Sequence, residues 1–258
     1  MIFSNLFTSL AQIIFKPYFL IPMIIIMLLS GLSVELGGWS MERPLIDFVL
    51  YPDSIPSDNF IGFLFANYPL ELVTMFLLSL IMTVVSVIGM MSVSRLVNKS
   101  KFVDAINDSV ADWKKALALT IVLLTASLVL GVAFSLILAL GVLNTTIQMI
   151  LFAVFMIIVF VIFVKIIFVI PALIKYDVKK AFQESWKFSD KRFWGTCALI
   201  ILAFFIGVIG LILIGQLGVL IGSVLGGVFE TIFDFLAESF ATTYFIAAIT
   251  NYFYSKQK

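Results

Sequence analysis

The chain has 258 residues, of which 62% are hydrophobic and only 12% are charged, whereas soluble domains contain about 25% charged residues. This composition indicates an integral membrane protein, and the net charge of +1 argues against the clustered basic face that nucleic-acid binding requires. Histidine is absent and Cys197 is the single cysteine, which excludes a disulfide or a cysteine–histidine metal cluster within the chain, so no cofactor is expected.

Six apolar segments are long enough to cross a hydrocarbon core of about 30 Å as helices. They lie at about residues 18–36, 70–95, 116–140, 147–174, 192–214 and 236–254. The runs lack the alternation of a membrane barrel, so the predicted fold class is all-α, a polytopic helix bundle forming one membrane domain over 1–258. The glycine-rich stretch 215–235 is interpreted as an interfacial segment, with a re-entrant segment or an extension of a span as the alternatives.

Lysine and arginine predict the orientation, because cationic connections stay on the cytoplasmic side of a membrane. Six spans place 14 of the 16 cationic residues on one side: Lys16, Arg95, Lys99, Lys101, Lys114, Lys115, Lys175, Lys179, Lys180, Lys187, Lys191, Arg192, Lys256 and Lys258. Arg43 falls on the other side and Lys165 falls within a span. Both termini are therefore predicted to be cytoplasmic, in the cell membrane, with external connections at about 37–69, 141–146 and 215–235.

Short amphipathic helices are predicted before the third and fifth spans. Apolar residues recur at helical spacing in two stripes: Phe102, Ile106, Val110 and Trp113, then Val178, Phe182 and Trp186. Such helices are expected to lie in the membrane interface, with tryptophan at the headgroup level. Asp104, Asp108 and Asp112 line another face of the first helix, which is interpreted as solvated.

The second short helix is strongly cationic. The residues expected to contact lipid headgroups are Lys179, Lys180, Lys187, Lys191, Arg192 and Trp186. Anionic headgroups are plausible neighbours of such a cluster. The alternative is that these charges only enforce the topology.

An internal repeat links the two short helices. The segment DAINDSVADWKKAL (104–117) aligns without gaps to KAFQESWKFSDKRF (180–193), matching Ala105 with Ala181, Ser109 with Ser185 and Lys115 with Lys191. The segment LFTSLAQIIFKPYF (6–19) fits the same frame more weakly. This pattern predicts three units of amphipathic helix plus hairpin, at about 1–99, 100–176 and 177–258, related by an axis along the membrane normal.

The segment FVIPALIKYDVKKAFQESWKFSDKRFW (168–194) resembles a group of six-span proteins. The group includes the YciC-like proteins and the membrane domain attached to some glycerophosphodiester phosphodiesterases. The shared positions here are Pro171, Ala181, Ser185, Trp186, Lys191 and Trp194. The resemblance covers about 100–254 and implies a six-span fold in the cytoplasmic membrane. It implies no activity, because the group has no agreed one and this chain contains no phosphodiesterase module.

Lys165 interrupts the apolar run VIFVKIIFVIP (161–171). A continuous helix to Lys175 would place it about 15 Å inside the membrane boundary, near mid-bilayer. A lysine there costs about 2.5–3.5 kcal/mol and normally faces a partner. Glu238 is the predicted partner and Asp234 the second choice, giving a candidate intramembrane polar site. The site is either a buried ion pair that sets helix register or the lining of a cavity that binds or moves an ion or a headgroup.

The predicted function is that of a non-catalytic membrane protein. Helical spacing places Glu230, Asp234 and Glu238 on one face, but the chain has no histidine and no hydrolase or phosphate-loop motif, so an enzyme is not expected. A scaffold or accessory component is expected, interacting with membrane lipids, a membrane-protein partner or a second copy of the chain. The alternative is a transporter or lipid-translocating protein that uses Lys165 and Glu238. The G-x-x-x-G spacings at 218–226 indicate either internal packing or self-association.

Overall fold

The computed structural model describes residues 2–50, 65, 67–98, 100–140 and 145–256. Most of these residues are helical and none of them lies in a strand, which confirms the all-α prediction. The helices are α1 (Ile2–Phe15), α2 (Ile21–Leu50), α3 (Pro69–Val97), α4 (Phe102–Ala111), α5 (Trp113–Leu140), α6 (Thr145–Ile166), α7 (Val169–Leu173), α8 (Val178–Lys191), α9 (Phe193–Leu225) and α10 (Gly227–Ser255), with a 3₁₀ helix at Pro17–Leu20.

Six segments of the described chain are long and apolar enough to span a membrane, which confirms the predicted number. They are Pro17–Gly38, Pro69–Val97, Trp113–Ala139, Thr145–Leu173, Phe193–Leu225 and Gly227–Ser255. Each exceeds the roughly 20 residues that a helix needs to cross the hydrocarbon core. The protein is therefore a multi-pass membrane protein.

The first predicted connection, 37–69, is partly helical. Helix α2 extends to Leu50, so residues 37–50, which were predicted to belong to the connection, continue the first long helix. Helix α3 begins with Pro69 in its first turn and Glu71 close behind, where the missing amide donor and the negative charge both suit a helix start. The rest of this connection, 51–64 and 66, and residues 141–144 of the second lie outside the described residues.

The favoured interfacial interpretation of 215–235 is wrong, and the alternative, an extension of the neighbouring spans, is what the structure shows. Helix α9 continues to Leu225 and α10 begins at Gly227, with only Gly226 between them. Gly226 has a φ of 106°, a conformation that glycine adopts without the steric cost of a Cβ atom. The glycines before it do not break the helix, because each of several faces the neighbouring helix at a distance that a larger residue would not allow.

The close approach of α9 and α10 is visible at two glycines one helical turn apart. A Cβ atom added at Gly218 would lie 2.5 Å from the Cβ of Phe233, and one at Gly222 would lie 3.0 Å from the Cβ of Glu230. The G-x-x-x-G spacing therefore serves packing between two helices of the same chain, the first of the two interpretations drawn from the sequence.

Replacing Gly218 with alanine is expected to lower the free energy of unfolding by about 1–3 kcal/mol, because the added methyl meets a Cβ atom that cannot rotate away. Gly215→Ala is the matched control, since its nearest neighbour is the Asp234 carboxylate at 3.9 Å. That control should be neutral or slightly stabilising, because alanine favours helix. Thermal unfolding in detergent measures both, and equal effects of the two changes would contradict the close contact.

The packed core lies at one end of the bundle. This end, called the basal end below, is where α3, α6 and α10 finish and where α1 lies. The core there includes Leu6, Met91, Phe168, Tyr244 and Phe253. By contrast, no side chain is buried in 69–86 of α3, 121–139 of α5 or 145–163 of α6. Lipid is therefore expected to cover the distal parts of these three helices.

Each long helix that finishes at the basal end packs against a short helix. Helix α4 contacts α3, α8 contacts α6 and α7, and α1 contacts α10. The buried faces of α4 and α8 are built from small residues, with Ala105, Ser109, Ala181 and Ser185 all fully buried. These are four of the six positions matched by the internal alignment, although the threefold repeat itself stays a prediction. The apolar stripes are less buried: Phe102, Val178 and Phe182 pack partly buried against the core, and Trp186 is exposed.

Candidate functional site

Lys165 lies in the last turn of α6, and its ammonium forms an ion pair with the carboxylate of Asp190 on α8. The Lys165 side chain is 11% exposed and that of Asp190 is 50% exposed. The ammonium nitrogen also lies 5.3 Å from the ring centre of Trp186 and 5.9 Å from that of Phe193. The carboxylate and the two ring faces together stabilise the positive charge as α6 ends.

The backbone around Lys165 explains why Asp190 lies beside the Lys165 side chain. Helix α6 ends at Ile166, and α8 folds back along this end after the short helix α7. Ser185 donates to the carbonyl of Lys165 at 2.7 Å and accepts the amide of Phe168 at 3.2 Å. Ser189 donates to the carbonyl of Val164 at 2.9 Å. These bonds satisfy backbone groups that the break in the helix leaves without helical partners, and they fix α8 against α6.

The structure does not bring Lys165 together with Glu238 or Asp234. Glu238 and Asp234 are exposed on α10. The ring of Phe240, two residues beyond Glu238, lies against Gly210, whereas Lys165 lies beside Phe193. Gly210 lies 17 residues after Phe193 in α9, which corresponds to about 25 Å along the bundle. Because of this separation, the predicted Lys165–Glu238 pair does not form.

The error came from the assumed depth of Lys165. The predicted depth required an unbroken helix that leaves the membrane at Lys175. The helix instead ends at Ile166, and Phe193, the first residue of the next long helix, returns to the level of Lys165. Lys165 therefore lies at the basal end, near the start of α9, and not in the middle of the bundle.

A second charged cluster joins α3 to α4. Arg95, in the last turn of α3, pairs with Asp112 and also with Asp108 at 3.3 Å. Lys115 pairs with the other oxygen of Asp112 at 3.1 Å. The Arg95 side chain is only 10% exposed. Two of the three aspartates interpreted as a solvated face thus bind a cation from the preceding helix.

A third cluster, made of uncharged polar groups, joins α1 to α10. Asn251 donates to the hydroxyl of Ser9 at 2.8 Å and to the side-chain carbonyl of Gln12 at 2.9 Å. Asn5 donates to the hydroxyl of Ser255 at 3.2 Å. The first and last helices of the chain are therefore held together by side-chain hydrogen bonds.

These three clusters share one arrangement, in which a polar residue near the end of a long helix binds the short helix packed against it. We call them the junction clusters; their central residues are Arg95, Lys165 and Asn251. A cation in a last turn is also favoured by the negative end of the helix dipole, which applies to Arg95 and Lys165. A signal was present in the sequence, since Asp112 and Asp190 each come just before a predicted span, but the pairing needed the fold.

The cationic residues of α8 divide into two groups. Lys187, Lys191 and Arg192 line a pocket of about 220 Å³ together with Glu184, Phe188 and Lys256. Lys179 and Lys180 are in the first turn of α8 and do not line this pocket. The Lys180 ammonium instead lies 4.8 Å from the ring centre of Tyr176. Trp186, the remaining predicted headgroup contact, lies beside Lys165 as described above.

Comparison with known families gives a match in the second half of the chain. Residues 140–256, slightly less than half of the sequence, match the model of the membrane domain of glycerophosphoryl diester phosphodiesterase. No curated protein and no solved structure gives a significant match. The matched residues include α6 to α10 and the segment 168–194, so the family match confirms the resemblance stated from that segment: over this region the chain is similar to that membrane domain.

Proposed function

We propose that this protein is a non-catalytic membrane component, a scaffold or accessory subunit that organises lipids or other membrane proteins through its basal end. The observation that carries the proposal is the distribution of packing and charge: the described core is concentrated at that end, where α1, α4 and α8 are fixed by the junction clusters. Surface helices that are fixed to a membrane anchor present a constant surface to lipids and to neighbouring proteins. The sequence supports this, because it lacks histidine and the common catalytic motifs.

The basal end is proposed to face the cytoplasm. Most of the lysine and arginine residues lie at this end, and cationic segments stay on the cytoplasmic side of a membrane. This orientation would place both chain termini and all three short helices in contact with the inner leaflet, whose anionic lipids attract basic segments.

A transporter is the less favoured proposal. It depended on Lys165 and Glu238 sharing one polar cavity, and these residues lie about 25 Å apart along the bundle. The polar residues of the described core are mainly single hydroxyls or pairs, such as Ser94 with Thr250 at 3.0 Å. A chain of ion-binding groups across the bundle would have favoured transport.

The test is native mass spectrometry of the full chain after gentle extraction, together with solute flux in reconstituted vesicles. A scaffold is expected to retain stoichiometric lipid or a protein neighbour and to leave vesicle permeability unchanged. Empty vesicles and vesicles with heat-denatured protein are the controls. Protein-dependent flux of an ion or a polar solute above both controls would overturn the proposal in favour of transport.

A further inference from the structure

We propose that the pocket formed by Glu184, Lys187, Phe188, Lys191, Arg192 and Lys256, called the anion pocket below, binds a phosphate-bearing anion, with the headgroup of an anionic lipid as its source. This inference rests on the proposed function and names the class of lipid involved. The pocket is lined by four cationic side chains and one carboxylate. The carboxylate of Glu184 lies 3.5 Å from the ammonium of Lys187, so it offsets part of this charge and leaves a cationic excess.

Arg192 is the residue that gives the anion pocket its specificity for phosphate. Its position is fixed at the junction of α8 and α9, where its amide donates to the carbonyl of Ser189 at 3.1 Å. Its guanidinium lies 4.9 Å from the ring centre of Phe188, and Nη2 reaches the carbonyl of Lys256 at 3.5 Å. The guanidinium is therefore held from two sides, which orders it before any ligand arrives.

The other terminal nitrogen of Arg192, Nη1, is buried and forms no hydrogen bond with any described residue. A buried donor without an acceptor is destabilising, and one on a charged group more so. A planar guanidinium offers parallel donors that match the oxygens of a phosphate group. A phosphate in the pocket would accept from the guanidinium of Arg192, which lines it, while Lys187 and Lys191 would neutralise the remaining charge.

Size and depth favour a lipid headgroup over a larger soluble ligand. The volume of about 220 Å³ is below the range of about 300–1,000 Å³ typical of small-molecule sites, so a single polar group fits. Trp194 follows Arg192 by two residues and is 82% exposed, as expected for a tryptophan at the membrane–water interface. A phosphate bound by Arg192 would thus lie at headgroup level, with its acyl chains along the exposed surface of α9.

The experiment measures lipid binding to the delipidated full chain by native mass spectrometry. Phosphatidic acid and phosphatidylglycerol are compared with phosphatidylcholine of the same acyl chains. We expect the two anionic lipids to bind preferentially. The substitution Arg192→Gln should lower their affinity about tenfold, because one charge-assisted contact is lost. Lys191→Gln, a change at an exposed residue, should lower the affinity for both anionic lipids severalfold, and it serves as the second variant if Arg192→Gln does not fold.

Lys179→Gln is the matched control, because it removes the same charge from the same helix outside the anion pocket. Its lipid affinity should stay within about twofold of the unchanged protein, since general attraction to an anionic surface is shared among many charges. Equal losses in the Lys179 and Arg192 variants, or no preference for anionic lipid, would overturn the lipid proposal.

Inorganic phosphate distinguishes the two sources of the anion. If phosphate at constant ionic strength raises the melting temperature of the lipid-free protein, and Arg192→Gln abolishes that rise while no lipid preference is seen, the pocket binds soluble phosphate instead of lipid. If the Arg192 and Lys179 variants respond equally to lipid and to inorganic phosphate, the pocket contains no anion site. Failure of the scaffold proposal would appear separately, as solute flux in vesicles.

Discussion

Arg95→Met is expected to lower the free energy of unfolding by about 2–4 kcal/mol, the largest effect predicted for a single substitution in this protein. The Arg95 side chain is 10% exposed and pairs with both Asp108 and Asp112. Methionine fills similar space but cannot bond either carboxylate, so α4 loses its attachment to α3. The expected cost is below the full value for a buried pair because the carboxylate of Asp108 is largely exposed. Thermal and denaturant unfolding in detergent measure the change.

Lys115→Gln provides the control for Arg95. Lys115 also pairs with Asp112, but it lies only three residues after Asp112 in the chain and is more exposed than Arg95. Its loss is expected to cost less than about 1 kcal/mol, as for other exposed ion pairs. Similar losses from the Lys115 and Arg95 substitutions would show that the attachment of α4 to α3 does not depend on the buried guanidinium.

Asp190→Asn is expected to destabilise the protein by about 1–3 kcal/mol and Lys165→Met by less. The asymmetry follows from exposure. Removing the carboxylate leaves an ammonium that is nearly buried, whereas removing the ammonium leaves a carboxylate that is half exposed and regains water. The double variant should resemble Lys165→Met, because methionine packs against Trp186 and Phe193 without needing a charge. Unfolding of the two single variants and the double variant gives the coupling energy.

Glu238→Gln tests the pairing that the sequence predicted. Glu238 is exposed and lies far along the bundle from Lys165, so its substitution should have little effect and should add independently to Lys165→Met. A coupling between residues 165 and 238 as large as that between 165 and 190 would contradict the arrangement of α8 against α6.

The helices themselves followed from the sequence because a bilayer imposes a simple rule on each segment. A span must be apolar over about 20 residues and must satisfy its own backbone, so length and composition predict the six spans without knowledge of their neighbours. The short helix α8 was also predictable, since its apolar and cationic residues recur at helical spacing. The resemblance at 168–194 came from the same segment.

Contacts between helices were harder to predict, as residues 215–235 illustrate. Their glycines and acidic residues are typical of an irregular segment, yet α9 and α10 are both continuous there and turn only at Gly226. Glycine in this stretch allows a neighbouring helix to pack closely, and a single sequence does not reveal which helix that is. The fully buried faces of α4 and α8 were missed for the same reason, since alanine and serine carry little hydrophobic signal.

The sequence by itself determined that the chain enters a membrane, that it forms six long helices and that most of its cations lie at one end, because each of these properties depends on local composition. The tertiary structure decided which anion Lys165 meets. That choice depends on the end of α6 at Ile166 and on the return of α8 along it, and together these place Asp190 beside the ammonium. A buried charge pairs with an opposite charge that the fold places beside it, and helix breaks and packing over the whole basal end determine which one that is.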